Sequence, residues 1–145
     1  MDDSLEHFRK LEKMYRSAPI NQLYQPDILI SEGTAQISIQ VKKEYFHTAQ
    51  AMHGSIYFKM LDDASFFAVN SVVADAFVLT TSFNIHLFRP VTQGKITSKG
   101  QLHFYSKSLF VAEARLFNEE GEEVAFGTGN FVKSRIPLSP DVGYE

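Results

Sequence analysis

Apolar and polar residues follow two different periods along this chain, which predicts a mixed α+β fold. Between residues 5 and 15, apolar side chains recur every three to four positions, so we predict an N-terminal helix over residues 1–18 that ends before Pro19. Between residues 34 and 41 apolar and polar side chains alternate strictly, which is typical of a half-buried strand. Similar patterns bounded by turn residues predict strands over residues 24–30, 77–88, 95–105, 109–118 and 123–133.

The longest helical pattern, residues 53 to 74, is apolar on almost every side. Only Lys59, Asp63 and Asn70 form a narrow polar strip, which we expect to face solvent. A helix that is apolar nearly all round is buried, so the strands must wrap around it. We therefore predict one α+β domain over residues 1–145, an antiparallel sheet of about six strands around a long central helix. The N-terminal helix is an addition to this unit, and residues 134–145, which contain two prolines, are predicted to be an irregular tail.

Asp62 interrupts the apolar surface of the central helix. Its neighbours one helical turn before and after are Phe58 and Phe66, so its carboxylate is predicted to lie among apolar side chains, unlike Asp63 on the polar strip. Removal from water raises the pKa of a carboxyl group, and acids with perturbed pKa values are candidates for catalysis. Two structural explanations are equally open to an isolated aspartate: it faces solvent where the helix emerges, or it caps a neighbouring loop.

The start of the same helix offers a second chemical feature. His53, Gly54 and Ser55 precede the apolar run, and the first amides of a helix have no partner inside the helix. Such amides can bind a carbonyl oxygen that becomes negative during acyl transfer, although Gly-Ser helix entries are also common without any function. Gly54 and Asp62 are eight residues apart, which corresponds to about 12 Å along a helix. One chain therefore cannot hold one carbonyl carbon with both, which predicts a homodimer with shared active sites.

Composition and charge narrow the classes of partner. The net charge is −3, whereas phosphate binding needs a basic face, so we expect no nucleic-acid partner. The chain has no cysteine, and His47 and His53 lack a nearby third ligand, so we expect no metal and no cofactor. His7, on the first helix, is expected to face solvent. No apolar run approaches the ~20 residues of a membrane helix, and the first ten residues differ from a signal peptide, so we expect a cytoplasmic protein without a membrane partner.

The stretch HGSIYFKMLDDASFFAVNS, residues 53 to 71, carries a family resemblance. It resembles the motif HGGxxxxLADxAxxxAxNS of hotdog-fold thioesterases of the phenylacetate-degradation (PaaI-like) type, with seven positions in register, His53, Gly54, Asp62, Ala64, Ala68, Asn70 and Ser71. The later SFNIHLFRPVTQG and the closing VGY are also similar to family segments. The resemblance implies a hotdog fold and a homodimer, or a homotetramer, that hydrolyses acyl-coenzyme A or acyl-carrier thioesters.

The resemblance also implies roles for individual residues. Asp62 is then the nucleophile or the general base for water, Gly54 supplies the oxyanion amide, and His53 lies at the pocket mouth. A substrate-binding hydroxyl falls on Thr80 or on its neighbours Thr81 and Ser82, and Lys107 falls where the family contacts coenzyme A. From the residues themselves, Ser55 lies at the helix start, and Phe58, Phe66 and Phe67 are candidate pocket walls, with core packing as the alternative for each phenylalanine.

Three positions depart from the family pattern. His47 stands where the family often has an asparagine that orients water or the carbonyl, and Ser55 and Ser106 replace glycines. These departures keep alternatives open: an acyl-thioester-binding or regulatory protein without catalysis, or a structural dimer module. A hydratase or dehydratase could pair His47 with Asp62, but the carboxylate of that class would fall near Lys59.

Overall fold

The structure, a computed structural model, describes residues 3–145 as three α-helices and one six-stranded sheet. The helices are α1 (Asp3–Ser17), α2 (Asn21–Tyr24) and α3 (Gly54–Asn70). The strands are β1 (Asp27–Ser31), β2 (Thr34–Gln40), β3 (Ala76–Leu87), β4 (Lys95–Tyr105), β5 (Phe110–Phe117) and β6 (Glu123–Pro137). None of the helices within these residues is long and apolar enough to cross a lipid bilayer.

Element boundaries differ from the sequence predictions at several places. The predicted strand over residues 24–30 is β1, which begins only at Asp27, and Tyr24 belongs to α2, a short helix that the sequence analysis did not predict. The predicted helix 1–18 is α1, of which residues 1 and 2 lie outside the described part of the chain. β6 continues to Pro137, so residues 134–137 of the predicted irregular tail are strand paired with β3. α3 ends at Asn70 rather than near residue 74, because the side chain of Asn70 binds the backbone that follows. Its Nδ2 donates to the carbonyls of Val73 and Ala76, and its Oδ1 accepts from the Val78 backbone amide, which turns the chain into β3.

The sheet is antiparallel throughout, with the strand order β1-β2-β4-β5-β6-β3. α3 packs against β2, β3, β4 and β5, so the sheet curves around it as the apolar pattern predicted. The helix approaches the sheet closely at Gly100 on β4, where a Cβ would overlap the backbone carbonyl group of Ala64. Only glycine allows the helix backbone to lie so close to the strand. The α+β architecture with a long central helix and an extra N-terminal helix is confirmed.

The polar strip of α3 does not face solvent, contrary to expectation. α1 lies over it, leaving the side chains of Lys59 and Asp63 only 14% and 19% exposed, while Asn70 is fully buried. The prediction for His7 was also wrong, because this histidine is buried between Tyr144 Oη, 2.8 Å from Nδ1, and the Asn70 carbonyl oxygen, 2.9 Å from Nε2. Periodicity within one helix cannot show which second helix will cover its polar side.

α1 also closes the outer edge of β1. Arg9 Nη2 donates to the Ile30 carbonyl at 2.8 Å, and the Ile30 amide donates to Glu12 Oε2 at 2.8 Å. Arg9 and Glu12 pair with each other at 2.9 Å, and Glu12 is only 5% exposed. Backbone groups at a free strand edge would otherwise remain available for pairing with another chain. The same contacts hold α1 in register on the sheet.

Glu12→Ala is therefore expected to lower the free energy of unfolding by about 1–3 kcal/mol, because the buried Ile30 amide loses its acceptor. Glu6→Ala, which removes an exposed pair with Lys10 at 3.3 Å, is the matched control and should cost about 0.5 kcal/mol or less. Urea denaturation measures both values. Equal losses for the two variants would contradict the role of Glu12.

Candidate active site

Asp62 lies midway along α3, on the side that faces β3. Its carboxyl group is partly buried, and Oδ1 accepts a hydrogen bond from Thr80 Oγ1 at 2.8 Å. Burial raises the pKa of Asp62 to about 6, and the hydrogen bond from Thr80 opposes this shift by stabilising the ionised form. The carboxylate therefore changes charge close to neutral pH, where a general base or nucleophile is most useful.

A cavity of about 430 Å³ opens beside Asp62. One wall consists of aromatic and apolar side chains from α3 and β3, namely Phe66, Phe67, Phe77 and Leu79. The opposite wall comes from the end of α1 and the connection into α2, with Met14, Ala18, Pro19 and Ile20. Concave apolar sites of this size suit small organic groups, and here the apolar walls surround the Asp62 and Asp63 carboxyl groups.

Of the three hydroxyl residues at the middle of β3, one contacts Asp62 and the other two contact Asn130 on β6. The pairing of β3 with β6 shifts register between Thr80 and Ser82. Thr80 contacts Asp62, whereas Thr81 Oγ1 donates to the Asn130 carbonyl at 3.1 Å and Ser82 Oγ accepts from Asn130 Nδ2 at 2.8 Å. The irregular pairing thus brings only the first of the three hydroxyls to the carboxylate.

Thr80→Val is expected to raise the pKa of Asp62 above about 6, because the ionised carboxylate loses a hydrogen-bond donor. Any activity that requires ionised Asp62 should then begin at higher pH, with little change on the alkaline plateau. A pH–rate profile measures this shift. Thr81→Val is the matched control, since its hydroxyl contacts only backbone on β6, and a shift of the same size there would contradict the assignment.

The start of α3 is organised by His53. His53 is the N-cap residue, and its Nδ1 accepts from the Ser55 amide at 3.0 Å and lies 2.8 Å from Ser55 Oγ. Its own amide donates to the Tyr45 carbonyl at 2.8 Å, which fixes the loop before the helix. Because Ser55 uses its amide on the cap, the Gly54 amide at the first helical position is the candidate donor for a negative oxygen.

His47 and Gly54 share a second depression of about 410 Å³, away from the Asp62 cavity. Tyr57, Leu87, Phe88 and Arg89 also line it. The His47 ring is exposed, and its Nδ1 accepts a hydrogen bond from the Ala49 backbone amide at 3.1 Å. This bond does not use the other ring nitrogen, Nε2. In one protomer the predicted oxyanion donor and the predicted carboxylate therefore lie in different cavities.

Lys107 lies in a third depression, of about 440 Å³, which Tyr105, Ser106 and Lys133 also line. This depression adjoins Val72 and Val73, just after the C-terminal end of α3. It is therefore distant from the start of that helix. Of the candidate phenylalanines, Phe66 and Phe67 line the Asp62 cavity. Phe58 lies outside it, with its ring edge-to-face against Phe83 at 5.5 Å between centroids.

Sequence reasoning missed the contribution of α1 to the site. The Tyr15 hydroxyl donates to Asp63 Oδ2 at 2.7 Å, and Lys59 Nζ lies 2.6 Å from the same oxygen, inside the cavity that holds Asp62. The spacing of Lys59 and Asp63, four residues apart, signalled their pairing. Nothing local to the sequence signalled that Tyr15 joins them, because that contact depends on how α1 packs.

Comparison with protein families and solved structures places this geometry among known folds. The family model described as "Thioesterase superfamily" matches residues 49–125, more than half of the chain. Comparison of the sequence with curated proteins gives no match.

Solved structures share the fold over most of the chain. The PaaI protein of E. coli, from the phenylacetic acid degradation operon, is 21% identical, with a TM-score of 0.85 over 95% of this chain and 100% of that one. A thioesterase of Pseudomonas aeruginosa is 14% identical, with a TM-score of 0.77 over 89% and 94% of the two chains. The PaaI protein of Thermus thermophilus is 18% identical, with a TM-score of 0.73 over 81% and 100%. The predicted hotdog fold is confirmed.

Proposed function

This chain belongs to the thioesterase superfamily, and we propose that it hydrolyses an acyl thioester of coenzyme A, or of an acyl carrier, to the free acid and the thiol. The observation that carries the proposal is a carboxyl group with a pKa of about 6 at the wall of an apolar cavity, held by the Thr80 hydroxyl. The cavity accommodates an apolar acyl group, with Asp62 at its wall beside the thioester carbon.

The proposed reaction uses one element from each of two subunits. The thioester carbonyl oxygen binds the Gly54 amide of one subunit, which stabilises the negative charge as the carbon becomes tetrahedral. Asp62 of the partner subunit either removes a proton from the attacking water or attacks the carbon itself, forming an anhydride that water then hydrolyses. The carbon–sulfur bond breaks, and the thiolate departs as a good leaving group and takes up the proton.

The free edge of the sheet supports a homodimer built on β3. Within residues 3–145, β3 pairs with no strand other than β6, and its side chains Leu79 and Leu87 are 43% and 47% exposed. The opposite edge, at β1, is closed by Arg9 and Glu12. Two β3 strands paired antiparallel across a two-fold axis would set the two α3 helices antiparallel as well. The start of one helix would then approach the middle of the other, which joins the Gly54 and Asp62 cavities.

The remaining site residues take roles around this reaction. His53 and His47 border the depression at the start of α3, where they can orient the carbonyl or water. Lys107 and Lys133 share a basic depression with the exposed Tyr105 ring, a combination suited to phosphates and a nucleobase of coenzyme A.

Thiol release by the purified protein tests the proposal. A panel of acyl- and aryl-coenzyme A thioesters, from short to long, is incubated with enzyme and a thiol-reactive dye. Release from at least one member supports hydrolysis. Saturable binding without release would instead support an acyl-binding or regulatory protein, and conversion of an enoyl thioester without free thiol would support a hydratase.

A further inference from the structure

The cavity that contains Asp62 also holds a second carboxylate, Asp63, which pairs with one cation and accepts a hydrogen bond from one hydroxyl group. Asp63 Oδ2 accepts from the Tyr15 hydroxyl at 2.7 Å and pairs with Lys59 Nζ at 2.6 Å. Lys59 Nζ also lies 5.4 Å and 5.2 Å from the ring centroids of Tyr15 and Tyr24. Because little of this cluster is exposed, solvent screens its charges weakly.

The surroundings of Asp62 contain few other charges. Among the described residues that line the cavity, the titratable ones besides Asp62 are Tyr15 from α1 and Lys59 and Asp63 from α3. β3 adds the Thr80 hydroxyl, and α2 and the C-terminal segment add only uncharged side chains. The charge state of Asp62 is therefore coupled mainly to this cluster.

Opposing influences within the cluster act on Asp62. The charge of Asp63 raises the pKa of Asp62 and the charge of Lys59 lowers it, in addition to the larger effect of burial. Burial raises the pKa of the Tyr15 hydroxyl well above its usual range, so this hydroxyl stays protonated and remains a donor to Asp63. The Tyr15 hydroxyl and the Lys59 ammonium group contact the same oxygen of Asp63, so the carboxylate beside Asp62 has both a hydrogen-bond donor and a cation as partners.

We propose that Lys59 and Tyr15 are positioning residues that hold Asp63 in a balanced cluster, and that this balance keeps the charge of Asp63 from shifting the pH at which Asp62 ionises. The effect of this cluster on catalysis rests on the thioesterase activity proposed above. The electrostatic coupling between Asp62 and Asp63 does not rest on that activity. α1 thus contributes to the site through Tyr15, from a part of the chain that precedes the residues matched by the family model.

Carbon-13 NMR titration of the Asp62 carboxyl carbon tests the coupling directly and needs no turnover. Lys59→Met should move its titration midpoint up by about one pH unit, and Asp63→Asn should move it down by a similar amount. The double variant should return to within about 0.3 pH units of the wild type, because both charges are gone. Tyr15→Phe should cause a smaller upward shift. Lys13→Met, an exposed position on α1, is the matched control and should cause none.

The pH dependence of thiol release tests the catalytic consequence. An upward shift of one unit lowers the ionised fraction of Asp62 about fivefold at pH 6 and hardly at all at pH 8, so Lys59→Met should lose activity mainly in acid. Unchanged midpoints, midpoints that move in the same direction in both single variants, or equal rate losses at every pH would overturn the proposal. If Lys59→Met does not fold, Asp63→Asn tests the same coupling with the opposite sign. Wild-type protein that releases no thiol would refute the activity, yet the NMR midpoints would still decide the coupling.

Discussion

Asp62→Asn is expected to lower kcat/KM for thioester hydrolysis by about a hundredfold or more. The amide cannot accept a proton from water and is no nucleophile, so either role of Asp62 in the proposed reaction is lost. Its carbonyl oxygen can still accept the hydrogen bond that Thr80 donates, so the local geometry is preserved. Thiol release from the best substrate in the panel, measured over a range of pH, gives the comparison.

The fold should survive this substitution, and at neutral pH it should gain stability. The pKa of Asp62 is raised in the folded state from 3.8 to about 6. The protonated carboxyl group therefore contributes fully to the free energy of unfolding below about pH 4, and this contribution is lost as the pH rises through 6. The ionised carboxylate therefore costs up to about 3 kcal/mol above that range, and asparagine removes this cost.

Asp27→Asn, at an exposed position on β1, is the matched control and should change neither activity nor stability. A folded Asp62→Asn protein that retains more than about a tenth of wild-type activity would contradict a catalytic role for Asp62.

Gly54→Pro is expected to reduce activity by about a hundredfold, because it deletes the single amide proposed to bind the oxyanion. Proline is tolerated at the first position of a helix, and the φ of −64° and ψ of 145° at His53 suit a residue before proline. Gly54→Ala is the matched control: its Cβ would lie 3.6 Å from Leu87, an ordinary contact, and the amide remains. The alanine variant should therefore stay close to wild type in thiol release.

Combining the two inactive variants tests whether active sites are shared between subunits. If each site takes Gly54 from one subunit and Asp62 from the other, a dimer of one Gly54→Pro and one Asp62→Asn chain contains one intact site and one doubly damaged site. Such dimers, co-expressed with two different tags and purified by both, should recover about half of the wild-type activity per dimer. Sites contained within one chain would recover nothing, and that result would sink the shared-site mechanism.

Light scattering on the same preparations gives the size of the assembly. A monomer that retains full activity would also contradict sharing, because one protomer keeps its Gly54 and Asp62 in different cavities. Recovery of activity in the mixed dimer shows that sites are shared, but it does not show which strand forms the interface. A variant on β3 is needed to identify that strand as the dimer edge. His86→Glu, at an exposed position of β3 that lines neither of these two cavities, provides it by placing charge where the second copy would pack.

The sequence by itself determined the α+β class, the approximate positions of the six strands and the buried central helix, because these depend on local periodicity and on a few turn residues. It also singled out Asp62, since a carboxylate in the midst of an apolar helix surface is visible without knowing what surrounds it. The motif from His53 to Ser71 pointed to the hotdog fold through its resemblance to a known family, and its matching positions all lie along the central helix or directly beside it.

Only the tertiary structure decided which groups meet. The irregular pairing of β3 and β6 brings Thr80, and not Thr81 or Ser82, to Asp62. The packing of α1 buries the strip that looked exposed and adds Tyr15 to the site. Such contacts join residues far apart in the chain, and their formation depends on register and on the orientation of one element against another, which no local pattern encodes.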